Sequence, residues 1–365
     1  MKMFQIYRKL NLKSINKVRY LSIQVKELKL KEYATSNEIE NYLELTSRDL
    51  DVDSLKTNEL LVKLIASPIN PADINIIQGK YGILPKSLPS IVGNEGLFQV
   101  IKSNDDLNEF KPGDWVLPNQ IGWGTWRSSV IDSKQSFIKL PNLTNLNKEA
   151  CSTIAVNPVT ALIMLKQFKD LKPNDTVIQN GANSAVGQAV NQFCKLMNVN
   201  VVNIVRKRPD LQQQNDLIDF LHQFGAKYIF TEDDLRKQVL TDLWQTIPKP
   251  KLALNCVGGK ATVDMMRHLD YDSTIVTYGG MSRQPLSFNI GDFIFKDLKS
   301  VGFWVSRWRQ NNPIEYRQTI DYICELISKG QFKQPKCQQF SLNDYKKAFK
   351  RYQTPFINSK ILFVE

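Results

Sequence analysis

Two rhythms of apolar positions divide this chain. Between residues 21 and 65 apolar and polar side chains alternate in short runs, as in Leu21-Ser22-Ile23-Gln24-Val25 and Leu60-Leu61-Val62-Lys63-Leu64-Ile65. A period of two predicts half-buried strands. Proline and glycine then recur densely from Pro68 to Gly124, the texture of a compact β-rich unit with tight turns. From about residue 150 helical stretches alternate with apolar runs at Val177–Gln179, Val201–Val205, Tyr228–Phe230, Leu252–Val257, Thr274–Tyr278 and Ser300–Val305. That alternation predicts a parallel sheet wound by crossover helices. Residues 310–330 read as helix, and the chain ends on the strand-like Ile361-Leu362-Phe363-Val364. The expected fold is therefore α/β: a β-rich first domain over 21–157, a doubly wound parallel-sheet domain over 158–305, and a return of 306–365 to the first. A ligand cleft is expected between them, where the carboxyl ends of the parallel strands face the β-rich unit.

One turn in the second half carries chemistry. Val177-Ile178-Gln179-Asn180 runs into Gly181-Ala182-Asn183-Ser184-Ala185-Val186-Gly187. Strand, glycine turn and helix in this order suit a pyrophosphate, which free N–H groups at a helix N-terminus attract. About twenty residues later the strand Val201–Val205 ends in Arg206-Lys207-Arg208. An acidic residue there would select NAD, whereas cations accommodate the 2′-phosphate of NADP. Three cations and no carboxylate point to NADPH. A plain strand–helix connection followed by a solvated basic cluster is the other reading of these residues.

Composition narrows the class. With 365 residues, 42% hydrophobic and 23% charged, the chain has room for two domains and the make-up of a soluble globular protein. Half of the net charge of +12 falls on Lys2, Arg8, Lys9, Lys13, Lys17 and Arg19, with no acidic residue before Glu27. Residues 1–20 are basic and roughly amphipathic at helical spacing, like a mitochondrial transit segment. A basic tail on a cytosolic protein is the alternative. The five cysteines are widely scattered and only two histidines exist, His222 and His268. Neither a disulfide framework nor a zinc site is expected. The modest charge elsewhere, without a nucleic-acid motif, argues against nucleic-acid binding, and no apolar run approaches membrane-spanning length.

Further motifs resemble a family. Asn70-Pro71-Ala72-Asp73-Ile74-Asn75, Gln78-Gly79-Lys80-Tyr81-Gly82, Gly93-Asn94-Glu95-Gly96 and Lys111-Pro112-Gly113-Asp114-Trp115-Val116 are similar to segments of the medium-chain dehydrogenase/reductases. Within that superfamily the chain resembles the mitochondrial trans-2-enoyl thioester reductases. Gly124-Thr125-Trp126-Arg127, Val156-Asn157-Pro158, Leu254–Lys260, Thr277–Met281, Phe295–Lys299 and Gly302-Phe303-Trp304 extend the likeness over about residues 20–365. The resemblance implies a GroES-like catalytic domain joined to a Rossmann domain, without zinc.

It also implies a reaction: hydride from NADPH goes to the β-carbon of an enoyl thioester, and the α-carbon then takes a proton. Tyr81 matches the family's proton donor. A phenol suits that task, being protonated at neutral pH and able to donate as charge develops. By the same resemblance Asn157 meets the nicotinamide. Asn183, Ser184, Ala185 and Val186 form the pyrophosphate turn, and Arg206, Lys207 and Arg208 hold the 2′-phosphate. Tyr278, Gly279, Gly280, Met281, Phe303, Trp304 and Val305 lie at strand ends facing the nicotinamide half, and Lys360 approaches from the C-terminal tail. Trp304 is expected to line an apolar acyl pocket as well. Ala185 departs from the family's glycine, a substitution tolerated where φ is negative.

The family's carriers, acyl carrier protein and coenzyme A, are both anionic. Lys346, Lys347, Lys350 and Arg351, or Lys166, Lys169 and Lys172, offer receiving patches, although either is as readily a solvated helix face. A homodimer in the mitochondrial matrix is expected. A reductase-like structural subunit of a large mitochondrial assembly and a quinone-type reductase are the rival readings.

Overall fold

The computed structural model describes residues 22–365, so the transit-like segment lies outside the described residues. A seven-stranded sheet holds the first unit together. Its strands are Glu59–Pro68, Leu97–Ser103, Trp115–Pro118, Ser129–Ser133 and Phe137–Lys139, joined by Cys337–Ser341 and Lys360–Val364 from the far end of the chain. The last strand runs antiparallel to the first, with Phe363 opposite Ser67 and Leu362 opposite Pro68. That register sets Lys360 beside Asn70. A smaller sheet of Ser22–Leu30, Leu43–Asp51 and Ser90–Ile91 packs nearby. Between them Trp126 is fully buried, its ring edge-on to Phe349 and Phe363. Aromatic pairs of this kind add about 0.5–1.5 kcal/mol each beyond the area they bury.

The second unit is built on six parallel strands: Thr176–Asn180, Asn200–Val205, Tyr228–Thr231, Leu252–Asn255, Thr274–Thr277 and Lys299–Gly302. Numbered in chain order, they lie 3-2-1-4-5-6 across the sheet. Every residue of Thr176–Asn180 is buried, as a central strand covered by helices on both faces requires. The order reverses between Thr176–Asn180 and Leu252–Asn255, and beyond the carboxyl ends at such a reversal an open α/β sheet has its ligand crevice. There the Asn180 side chain donates to Asn255 Oδ1 at 2.8 Å.

The helix Ala185–Leu196 starts directly on that crevice and buries Val186, Ala189, Val190 and Phe193. Gly187 lets it pack so tightly, because a Cβ there would lie 2.4 Å from the Ala182 carbonyl oxygen. Two elements differ from the sequence expectation. The sixth strand ends at Gly302 rather than Val305, because Trp304 leaves the sheet as the residue capping the helix Val305–Asn311. The helix expected over 310–330 is divided, with Pro313 opening a new helix, Pro313–Ser328. Proline lacks the N–H that continuing a helix needs and suits a first helical position. Tyr316, Ile320 and Ile323 of that helix join Val159, Val190 and Phe193 in one apolar core.

Candidate active site

At the crevice, Ser184 caps the helix Ala185–Leu196, its Oγ accepting from the Gly187 N–H at 3.1 Å. Ala185 is the first helical residue and so has the negative φ that tolerates a methyl group. It lines a small cavity together with Asn157 and Pro158. Gly181 takes φ +58°, and a Cβ there would meet the Cys256 sulfur at 2.5 Å. The turn is therefore closed by residues with no room for a side chain.

Beyond the second strand, Arg206 and Lys207 are exposed whereas Arg208 is buried. Arg208 Nη1 donates to the Arg206 carbonyl at 3.1 Å, but its buried Nη2 has no partner. Burial, and then the neighbouring Arg206, pull the Arg208 pKa down. An orphaned guanidinium donor beside a second cation fits a dianionic phosphate. These residues could hold a phosphorylated dinucleotide such as NADPH, the helix N-terminus its diphosphate and Arg206 to Arg208 its 2′-phosphate.

Across the cleft, Trp304 Nε1 donates to Tyr81 Oη at 2.8 Å, and the two rings meet edge to face at 5.8 Å. An indole N–H can only donate. It occupies an acceptor position on the phenol oxygen and leaves the Tyr81 O–H to point elsewhere. Gly82 leaves room for this contact, since a Cβ there would lie 3.2 Å from the indole.

A charged cluster is built around Asn70. Lys360 Nζ donates to Asn70 Oδ1 at 2.6 Å, and the Asn70 side-chain amide donates to Glu95 at 2.8 Å. Glu95 also accepts from the Val156 N–H at 2.9 Å, and Asn157 Nδ2 reaches Asn70 Oδ1 at 3.3 Å. Asp73 accepts from the Asn70 N–H at 2.8 Å and from Asn94 at 2.7 Å. Burial raises the Asp73 carboxyl to about 7 and pushes Glu95 up; it pulls Lys360 down, against the attraction of Glu95 and Asp73. Asn70, Asp73 and Glu95 were visible in the sequence only as motif residues. Their partners lie too far along the chain for spacing to reveal their role.

The remaining residues expected at the site have different surroundings, and Phe303 departs from that expectation. The buried Tyr278 phenol sits by Cys256; burial and that thiol push it well above its ordinary value. Met281 is 63% exposed at the rim and donates its N–H to the Cys256 carbonyl. Gly279 packs its backbone against Cys256, while a Cβ on Gly280 would meet open space. Val305 begins the helix after Trp304. The Phe303 ring turns away into the core, edge-on to Phe168 at 5.8 Å. Of the two basic patches, Lys347 pairs with Asp344 and Lys169 with Asp272, and Arg351 donates to Gln338. Among the described residues no group of three or more His, Cys, Asp or Glu is placed to hold a metal ion.

A GroES-like unit joined to a 3-2-1-4-5-6 dinucleotide sheet, with the site at their junction, defines a medium-chain dehydrogenase/reductase. Two family matches agree: the alcohol dehydrogenase GroES-like domain over residues 56–142 and zinc-binding dehydrogenase over 185–324. The chain is 42% identical over 314 residues to the human mitochondrial enoyl-[acyl-carrier-protein] reductase, covering 86% of this chain and 83% of the human one. The mitochondrial 2-enoyl thioester reductase Etr1p/Etr2p heterodimer from Candida tropicalis superimposes with a TM-score of 0.86 at 32% identity, over 94% of this chain and all of that one. A complex of Etr1p with NADP and crotonyl-CoA matches to the same extent. The chain belongs to the family of mitochondrial enoyl-[acyl-carrier-protein] reductases.

The raised Asp73 carboxyl has a consequence for stability. Between its ordinary value near 3.8 and about 7, the folded chain holds a proton that the unfolded chain has released. Folding stability therefore falls as pH rises through that window, by up to about 1.4 kcal/mol per pH unit. Urea denaturation of the wild type and Asp73→Asn at pH 4.5 and 7.5 measures it: the variant is expected to lose less stability between the two. Equal losses would remove Asp73 as the source.

Proposed function

We propose that this protein is an NADPH-dependent trans-2-enoyl thioester reductase of mitochondrial fatty acid synthesis, acting on chains carried by acyl carrier protein or coenzyme A. The observation that carries this reading is the direction of the Trp304–Tyr81 hydrogen bond. With its oxygen already accepting from the indole, the Tyr81 phenol can spend its own proton on the cleft. NADPH, when bound, supplies hydride to the β-carbon of the enoyl group. Negative charge then collects on the thioester oxygen and α-carbon, and Tyr81 is the donor that meets it. Trp304 holds the phenol and offers an apolar wall to the acyl tail, where each buried methylene is worth about 0.8 kcal/mol.

The family likeness and the NADP and crotonyl-CoA named for the Etr1p complex support this reading. The basic segment before residue 21 and the mitochondrial naming of the relatives support a place in the matrix. We assign residues 21–157 to the catalytic domain, 158–305 to the coenzyme domain and 306–365 to the return. A second copy fits the free edge of the six-stranded sheet. Its edge strand Lys299–Gly302 follows a helix, Ile290–Lys296, on which Ile290, Ile294 and Phe295 are 73%, 66% and 79% exposed. An unpaired edge beside apolar side chains suits pairing with an identical chain.

Two measurements test these readings. Wild-type protein is expected to oxidise NADPH with crotonyl-CoA, and Tyr81→Phe to lower kcat/KM by about 10²–10⁴-fold with coenzyme affinity kept. Turnover with a quinone alone would favour the quinone-type rival, and NADPH binding without any turnover would favour the structural subunit. In sedimentation the wild type is expected to run as a dimer and Phe295→Glu as a monomer; unchanged sedimentation would move the interface elsewhere.

A further inference from the structure

The segment between the last helix and the last strand, residues 353–359, has no part in the mechanism above, yet it crosses the coenzyme side of the cleft. Phe356 holds φ +60°, a conformation that bulky residues rarely adopt and that marks a constrained position. Its ring centroid lies 4.8 Å from the Arg206 guanidinium carbon and 4.7 Å from that of Arg208. Two residues on, Asn358 Oδ1 accepts from Asn183 of the phosphate turn at 3.5 Å. Two further, Lys360 enters the buried cluster.

Two guanidinium groups side by side repel each other, and Arg208 pays the cost of burial as well. A carboxylate between them would relieve both costs, but it would also consume their N–H donors. Among the described residues no ion pair involves Arg206 or Arg208; the charge of Arg206 is felt by Glu232, but that carboxylate forms no ion pair with either guanidinium. The aromatic ring takes the carboxylate's place. It stabilises both cations through its electron-rich face and accepts no hydrogen bond in their planes. The Arg208 Nη2 group is thereby left buried, polar and unpartnered.

We propose that Phe356 is a specificity-determining residue of the coenzyme site, holding Arg206 and Arg208 as a ready donor pair for the 2′-phosphate of NADPH without using up their hydrogen bonds. This inference rests on the reading of Arg206 to Arg208 as the 2′-phosphate site. It separates Phe356 from a mere cover over the cleft, because a cover would serve NADPH and NADH alike.

The test is equilibrium titration of the purified full chain with NADPH and NADH, followed by quenching of tryptophan fluorescence, and with adenosine 2′,5′-bisphosphate and 5′-AMP by calorimetry. Phe356→Ala is expected to weaken NADPH and the 2′,5′-bisphosphate about tenfold, the size expected of two partly desolvated cation–π contacts. NADH and 5′-AMP should change by less than about twofold. Phe356→Trp should keep the wild-type preference, and Phe356→Leu, apolar but without an aromatic face, should resemble the alanine variant. Equal weakening of both coenzymes, or no weakening of NADPH in a variant with wild-type circular dichroism and melting temperature, overturns the proposal. Arg208→Met separates the two layers. If it leaves NADPH affinity intact, the 2′-phosphate site itself is wrong; if it weakens NADPH while Phe356→Ala does not, only the role of Phe356 falls.

Discussion

A lysine ammonium, two carboxyls and three amides share one water-poor site where the parts of this chain meet. Lys360 comes from the last strand, Asn70 and Asp73 from the start of a short helix, Asn94 and Glu95 from a loop, and Asn157 from the helix that leads toward the second unit. Asp73 and Glu95 are buried and Lys360 is half-buried, and charges so enclosed are costly unless partners are present. Removing Lys360 or Glu95 therefore leaves an uncompensated charge rather than a small gap. The same contacts that hold the seam together fix where Asn157 and Lys360 stand.

On the other side the constraint is a single hydrogen bond with a forced direction. Trp304 leaves the sixth strand early and caps the next helix, which turns its indole toward Tyr81. Because the indole cannot accept, the phenol proton is left for whatever lies in the cleft. A phenylalanine at position 304 would preserve the packing but not that assignment. The two parts of the site thus depend on different physics: an electrostatic cluster around Asn70, Asn157 and Lys360, and donor–acceptor directionality at Tyr81.

What could be read in the sequence was local. The glycine turn, the helix after it and the cations ending the second strand lie within about thirty residues, so spacing alone reveals them. All six parallel strands show as apolar runs, although the fourth and the last end before their runs do, the last because an aromatic run looks the same in a strand as on a cap. Pro313 was a boundary that helical patterning passed over. The long-range contacts were not legible. Glu95 finds Asn70 at a separation of 25 residues and Val156 at 61, and Lys360 finds Asn70 at 290. Phe356 carried no signal, since a lone phenylalanine between proline and isoleucine reads as ordinary loop; only its approach to two arginines gives it meaning.

The central claim is that the cleft joins a hydride from one side to a proton from the other across a carbon–carbon double bond. Isotope labelling tests this most directly. With NADPH deuterated at its transferable position and a trans-2-enoyl thioester in ordinary water, mass spectrometry and NMR of the product should show one deuterium at the β-carbon and none at the α-carbon. With ordinary NADPH in heavy water, the label should appear at the α-carbon instead. A product labelled at the α-carbon by NADPH, or no saturated thioester at all from folded protein that binds NADPH, would contradict the account.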